Sequence, residues 1–273
     1  MSIDDLRMAL DWAKAEGWNP GLYDARSFYS ADPNGFFMAY EGKTPVGSIS
    51  AVSYDDKFGF IGFFIVKNDL RGHHIGIELG KNALKYLGKR CIGQDGVLKK
   101  VKNYEHYGFK LAYRNIRFEG IATKNFVSTG LTELSKLPFE EICRYDRLYF
   151  PAERKEFLKK WISQPQSLAL GILGKGNQLS GYGVIRKCVK GYKIGPLFAD
   201  SSEIAEKIFI GLANFADKGE LFYLDLPEPN KNALKLAGKY RMKEVFSTAR
   251  MYMNRIPELP IDGIYSVTSF ELG

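Results

Sequence analysis

Apolar positions along the chain switch between two periods, and the switch marks the elements. Leu6, Ala9, Leu10 and Ala13 recur at helical spacing behind Ser2 and Asp5, a capping-box pair, so the spacing predicts a helix running to about Glu16. GWNPG, Gly17 to Gly21, ends it. After a second short helix around Tyr23 to Tyr29 the pattern turns to strand: Gly35 to Tyr40, Pro45 to Tyr54 and Phe58 to Val66, separated by turns at Glu41-Gly42-Lys43 and Asp55-Asp56-Lys57. That is an antiparallel meander of three strands. A helix over Ile75 to Leu87, a short strand near Cys91 to Gln94, a helix from Leu98 to Tyr107 and a strand from Leu111 to Phe118 follow.

The second half repeats this order. Ile61-Gly62 recurs as Ile194-Gly195, 133 positions on, and the same offset lays KLAYRNIRF over KEVFSTARM, pairing Lys110 with Lys243, Tyr113 with Phe246, Arg117 with Arg250 and Phe118 with Met251. One frame over about 57 residues indicates two copies of one α/β unit. The Thr, Ser and Pro content of Ile121 to Phe139 suits a linker between them.

Composition narrows the class more than the function. With 273 residues, 45% apolar and 26% charged, the chain is long enough for two cores and unlike a disordered or disulfide-stapled one. Cys91, Cys143 and Cys188 form no CxxC and no metal spacing, which fits a reducing cytoplasm and argues against a zinc site. The longest apolar stretch, Phe58 to Val66, has nine residues where a membrane helix needs ~20, and the acidic start MSIDDLRMAL does not read as a signal peptide. The net charge of +8 is local: Lys67 to Arg117 holds 12 Lys and Arg against 4 Asp and Glu, and the remainder balances. Such a patch suits a pocket for a compact polyanion better than a nucleic-acid footprint.

The chemistry concentrates at FIGFFIVKNDLRGHHIGIELG. A strand ends at Val66, the chain turns, and Arg71 to Gly76 open a helix, so backbone N–H groups converge at a positive helix end. Glycines at Gly72 and Gly76 allow close approach of a phosphate. Thirty residues on, KNYEHYGFK places Asn103 and Tyr104 on a helix that Gly108-Phe109 ends.

Together these segments resemble the GNAT superfamily of acetyl-CoA-dependent N-acetyltransferases, with a pyrophosphate loop R/Q-x-x-G-x-G/A at Arg71, His74 and Gly76 and a later helix ending Y-x-x-x-G-F at Tyr104, Gly108 and Phe109. His74 stands where the family has its middle glycine; either the loop needs that glycine's freedom or the imidazole points outward, and the second reading is favoured. EGWNPG, RNIRFEG, GYKIGPLFAD, TARMY and TSFELG resemble the bacterial two-domain members. The resemblance implies a mixed-sheet α/β fold in tandem: a catalytic domain over 1-122, a linker over 123-139 and a degenerate GNAT-like domain over 140-273. It implies acetyl-CoA as co-substrate with no metal, held along Ile65 and Val66, by Arg71, Gly72, His73, His74, Ile75 and Gly76, and by Asn103. An amine would attack the thioester directly, with no acyl-enzyme. Tyr104 would protonate the thiolate, and Asp95 would serve as base, with Glu16 as the other candidate and a turn in GQDG as the competing role for Asp95. Cys91 reads as a small core residue, His106 as exposed, and Lys99, Lys100 and Lys102 as either a solvated face or contacts to the coenzyme's 3′-phosphate, the solvated face being favoured.

At offset 133 Arg71 falls on Ile204, Gly72 on Ala205, Gly76 on Phe209, Tyr104 on Ala237 and Gly108 on Arg241, so the second copy lacks the phosphate seat and the acid. Asp200, Asp225, Glu228 and Arg250 there either line an acceptor pocket or cap helices and turns. The expected partner is a small or peptidic amine, in a cytoplasmic monomer or homodimer without nucleic acid or membrane. The competing functions are a non-catalytic CoA-binding regulatory module and an acyltransferase acting on a protein lysine or N-terminus.

Overall fold

Ser2 starts helix α1 (Ile3–Ala15) as a full capping box: its Oγ accepts from the Asp5 N–H at 3.2 Å and the Asp5 carboxylate accepts from the Ser2 N–H at 2.7 Å. The computed structural model describes residues 1–72, 74–124 and 127–273. The first half continues as α2 (Asp24–Ala31), β1 (Phe36–Glu41), β2 (Thr44–Ser53), β3 (Phe58–Val66), α3 (Ile75–Leu87), β4 (Cys91–Val97), α4 (Val101–His106) and β5 (Lys110–Ile121). The second half runs β6 (Thr132–Glu133), α5 (Phe139–Tyr149), α6 (Lys155–Trp161), β7 (Ser167–Leu173), β8 (Leu179–Lys187), β9 (Tyr192–Ala199), α7 (Ser202–Ala213), β10 (Leu221–Pro227), α8 (Lys231–Lys239), β11 (Lys243–Met253) and β12 (Ile264–Ser266). The helix expected from Leu98 divides into a 3-10 turn, Leu98–Lys100, and α4. Part of the expected linker is built into the fold, since β6 pairs with β7 and Leu134 is buried.

All strands join one mixed sheet in the order β1-β2-β3-β4-β11-β5-β10-β9-β8-β7-β6, with β12 beside β9. The two equivalent strands β5 and β11 have changed places. β11, from the end of the chain, pairs with β4, and β5 pairs with β10. Space therefore divides the molecule differently from sequence: one lobe is β1 to β4 plus β11, the other β7 to β10 plus β5.

β5 and β11 pair with each other at the centre, Asn115 opposite Thr248, and these two residues are 133 apart. A pseudo-twofold axis thus passes between them. It also relates Phe28 of α2 to Trp161 of α6, again 133 apart, which stack with ring centres 5.7 Å apart. The packing of α1, α2, α5 and α6 joins the lobes in one apolar core, while α3 and α7, each on its own lobe, cover smaller ones.

The exchange is pinned by two buried ion pairs in matching register. Arg117 on β5 lies opposite Asp225 on β10 and binds it with both contacts at 2.6 Å; Arg250 on β11 lies opposite Asp95 on β4 and binds it at 2.6 and 3.1 Å. Burial alone would lower the Arg117 pKa, but the Asp225 charge outweighs it and the guanidinium is held above its usual range. Removing one partner of such a pair strands a buried charge, so each pair fixes the register of its strand against its neighbour, although the same Arg–Asp chemistry would serve either placement of the two strands.

Gly62 and Gly195, which marked the repeat in the sequence, have a shared structural reason. A Cβ on Gly62 would overlap the Glu271 carbonyl, and one on Gly195 would meet the Val267 and Thr268 carbonyls at 2.6 and 2.7 Å. The last segment of the chain runs across the third strand of both lobes, and only glycine leaves room for it.

Candidate functional site

β3 and β4 pair in parallel from Phe58–Cys91 to Ile61–Gln94 and then diverge, which opens a gap in the sheet. The divergence coincides with an irregularity in β3: its register against β2 shifts between Ser48 and Ser50, and Phe63 takes φ 47°, an uncommon conformation for a bulky residue. Two contacts hold it there, a 2.8 Å hydrogen bond from Ser48 Oγ to the Phe63 carbonyl and the edge of Phe63 against Phe28, centres 5.6 Å apart. A cleft open to solvent occupies the gap. β3 from Ile61 to Phe64 and β4 from Gln94 to Val97 wall it on either side, with Trp18, Tyr104, Phe246, Thr248, Phe270 and Glu271 completing it.

Tyr104 enters from α4, its ring so close to Gly96 that a Cβ there would sit 2.5 Å from a ring carbon. Burial pushes the phenol pKa up, with a backbone hydrogen bond from Val97 opposing it, so the group stays protonated and available as an acid.

At the open end of β3 the chain turns into α3. Gly72 has φ 91°, and the α3 N-cap, His74, gives the helix no side-chain hydrogen bond. The first-turn amides of a 13-residue helix are thus left for a ligand, at the positive end of its dipole. His74 lies in the right-handed region, φ −66° and ψ −11°, and is exposed, so the turn does not require the freedom of glycine there. Ile75 and Gly76 form the first turn, Gly76 facing the Phe64 ring and the Val66 side chain. Arg71 bridges the mouth: its Nε donates to the Val66 carbonyl at 2.9 Å and its guanidinium pairs with Glu16 at 2.5 Å. Ile65 is buried in β3, Val66 ends it, and Asn103 is exposed on α4. His73 lies outside the described residues.

Asp95 requires a correction. Its side chain is fully enclosed, and its oxygens accept from Arg250, from Asn115 at 2.8 Å and from Thr248 at 3.2 Å. A carboxylate so satisfied locks the exchanged strand and is not free to receive an amine proton. Glu16 is likewise engaged, by Arg71. Cys91 is buried, donates to the Arg255 carbonyl at 3.1 Å and has its thiol pKa raised by burial, so it offers no nucleophile.

The second lobe answers each feature differently. β9 leads into α7 through Asp200 and Ser201 alone, where eight residues separate β3 from α3. The uniform offset is therefore also corrected: it holds at both ends, while a shorter turn before α7 is offset by a longer connection before β10 and a longer α8. The phosphate loop is deleted there rather than substituted. Ser201 caps α7 by accepting from Ile204 N–H at 3.3 Å. β9 and β10 diverge after Ile194–Leu224, and β12 fills the gap: Ser266 Oγ donates to the Ile194 carbonyl at 2.8 Å and accepts from Asp225 N–H at 3.0 Å. Asp225 is a strand lock too, Asp200 accepts from Tyr145 and Tyr149, and Glu228 pairs with Arg114.

Sequence reading missed the walls contributed by Trp18, Phe246, Phe270 and Glu271. The one legible signal was a lone acid between Phe270 and Leu272 in the closing segment.

The first lobe thus has a sheet parted between its third and fourth strands, with an uncapped helix behind a glycine turn at the parting, and the second repeats the frame without the turn. Comparison with known proteins agrees. The model of the acetyltransferase (GNAT) family matches residues 3–109, and an acetyltransferase (GNAT) domain model matches 142–266. The chain is similar to the holothin acyltransferase of Pseudoalteromonas sp. (strain SANK 73390), 28% identical over all of this chain and 92% of that protein. In fold it matches a Pyrococcus horikoshii protein whose acetyltransferase activity is a prediction, with TM-score 0.84 and 24% identity over 100% of this chain and 94% of that one. It also matches a tandem GNAT protein from the clavulanic acid biosynthesis pathway, with TM-score 0.62 and 13% identity over 94% and 98% of the two chains. The chain belongs to the GNAT family and is an acyltransferase with two GNAT domains.

Proposed function

We propose that the protein transfers an acetyl group from acetyl-CoA to a primary amine, that the first lobe carries the chemistry, and that the second supports the acceptor side. The observation that carries this reading is the uncapped N-terminus of α3 behind Gly72, with Arg71 at the mouth of the open β3/β4 gap. These residues suit a pyrophosphate at the helix end and an extended thioester arm along β3 beyond Ile61, where β4 no longer pairs. In the transfer, the nitrogen lone pair forms the C–N bond as the C–S bond breaks, and Tyr104 gives its proton to the departing thiolate. No acyl-enzyme is invoked, because Cys91 is buried and not among the cleft residues. The enclosure of the cleft by Trp18, Phe246 and Phe270 supports a small acceptor over a lysine on a protein surface.

Calorimetric titration with acetyl-CoA, beside Arg71→Glu, tests the donor site. Micromolar binding that weakens by tenfold or more in the variant is expected, a change of at least about 1.4 kcal/mol. No binding by the unmodified protein up to millimolar acetyl-CoA, about −4 kcal/mol, overturns the reading.

A further inference from the structure

After β12 the chain crosses from the second lobe to the first. Ser266 and Val267 close the β9/β10 gap, and Phe270 and Glu271 then enter the wall of the β3/β4 cleft. Glu271 is only 4% exposed, and its Oε2 is buried with no hydrogen-bond partner. Three buried cations feel its charge without bonding it: Arg117 pairs with Asp225 and donates to the Trp18 carbonyl at 2.9 Å, Lys193 donates to the same carbonyl at 3.1 Å, and Arg186 pairs with Asp24 at 2.9 Å while its Nη1 is left without a partner. A buried carboxylate oxygen without a donor is costly to the fold, so its retention on a cleft wall points to a donor brought by a ligand.

We propose that Glu271 receives the nitrogen of the acceptor amine and takes its proton during transfer, and that the acceptor is a small amine on a flat apolar body that lies among Trp18, Phe246 and Phe270. The proposal rests on the acetyl-transfer reading above. The nitrogen lone pair forms the new C–N bond as the C–S bond breaks; the proton released from nitrogen goes to Glu271, and the thiolate takes the proton of Tyr104. Solvent later returns a proton from Glu271 to Tyr104, so the cycle closes without a further reactant.

The test uses the full chain with saturating acetyl-CoA, thiol release as readout, and three probes: tryptamine, benzylamine and a lysine-containing peptide. Transfer to the aromatic amines is expected, and Glu271→Gln should lower kcat/KM by 100-fold or more while leaving the acetyl-CoA Kd within threefold. Glu271→Asp should recover part of the loss. Glu271→Gln and Glu271→Met remove a charge that supports the buried Lys193 and should both melt lower, so the role is read from rate: a purely structural carboxylate would lower the melting temperature and leave kcat/KM of the folded protein within threefold. If Glu271→Gln does not fold, Glu271→Met supplies the same kinetic comparison. A variant within threefold of the unmodified rate overturns the role of Glu271 alone. Turnover of the peptide but of neither aromatic amine overturns the acceptor class. Failure of the unmodified protein to bind acetyl-CoA, or to acetylate any probe, overturns the parent reading and this one with it.

Discussion

In the first lobe the N-terminus of α3 has no side-chain cap and the gap between β3 and β4 stands open, whereas in the second Ser201 caps α7 and β12 fills the gap between β9 and β10. The same frame therefore yields one receptive lobe and one self-satisfied lobe. The difference lies in where unsatisfied backbone groups go. A parted sheet and a helix start each leave polar groups that need partners. The second lobe supplies them from its own chain, and the first leaves them for a ligand. The tail that plugs one lobe also walls the cleft of the other, so the second copy shapes the cleft of the first.

The largest effects should come from the feature the lobes share. Asp95→Asn and Asp225→Asn each strand a buried arginine and should destabilise the fold by about 3–5 kcal/mol, read by denaturant unfolding. Equal losses would show the two locks to be equivalent, and a loss confined to one would break the symmetry argued here. Acid should expose the same dependence. Burial alone would raise the Asp225 pKa, but the Arg117 charge outweighs it and holds the carboxyl below its usual range. The resulting stabilisation is fully present above the unfolded pKa of about 3.9 and is lost as pH falls through the lower folded value. Melting temperature measured from pH 6 down to 2 should show this loss in the unmodified protein, and Asp225→Asn should lack that contribution.

Next in size, Gly62→Val should push the tail away from β3 and lower the rate of transfer by about 100-fold, since displacement of a site wall by an ångström is enough for such a loss. Gly195→Val presses on the same tail in the second lobe and should cost about 1–3 kcal/mol in stability while leaving acetyl-CoA affinity unchanged. If the two substitutions affect transfer alike, the tail does not distinguish the lobes. The smallest expected effect sharpens the contrast at the helix ends. Ser201→Ala removes the cap of α7 and should cost about 1 kcal/mol by thermal unfolding. It should create no second acetyl-CoA site in calorimetry, because the loop that would reach a phosphate is absent.

Much of the fold was legible because its signals are local. The strand Phe58 to Val66 and the helix Ile75 to Leu87 form over the residues their periodicity marks, and Tyr104 lines the open gap. Asp95 was misread as a base because sequence shows an acid after a strand but not the Arg250 that arrives 155 positions later. The gapless repeat frame was misread because length differences on either side of β10 cancel.

The sequence by itself determined the elements, the doubling and the glycine turn before α3, since helical and strand periodicity, caps and glycine turns act over a few residues. The tertiary structure alone decided the exchange of β5 and β11 and the course of the tail. The two strands carry matching apolar patterns and matching arginines, Arg117 facing Asp225 and Arg250 facing Asp95, so neither the pattern nor the ion pair names its neighbour, and only the assembled sheet shows the exchange. Glu271 became part of the first lobe's cleft for the same reason: its place depends on Gly62, more than 200 residues earlier, leaving space for the tail to pass.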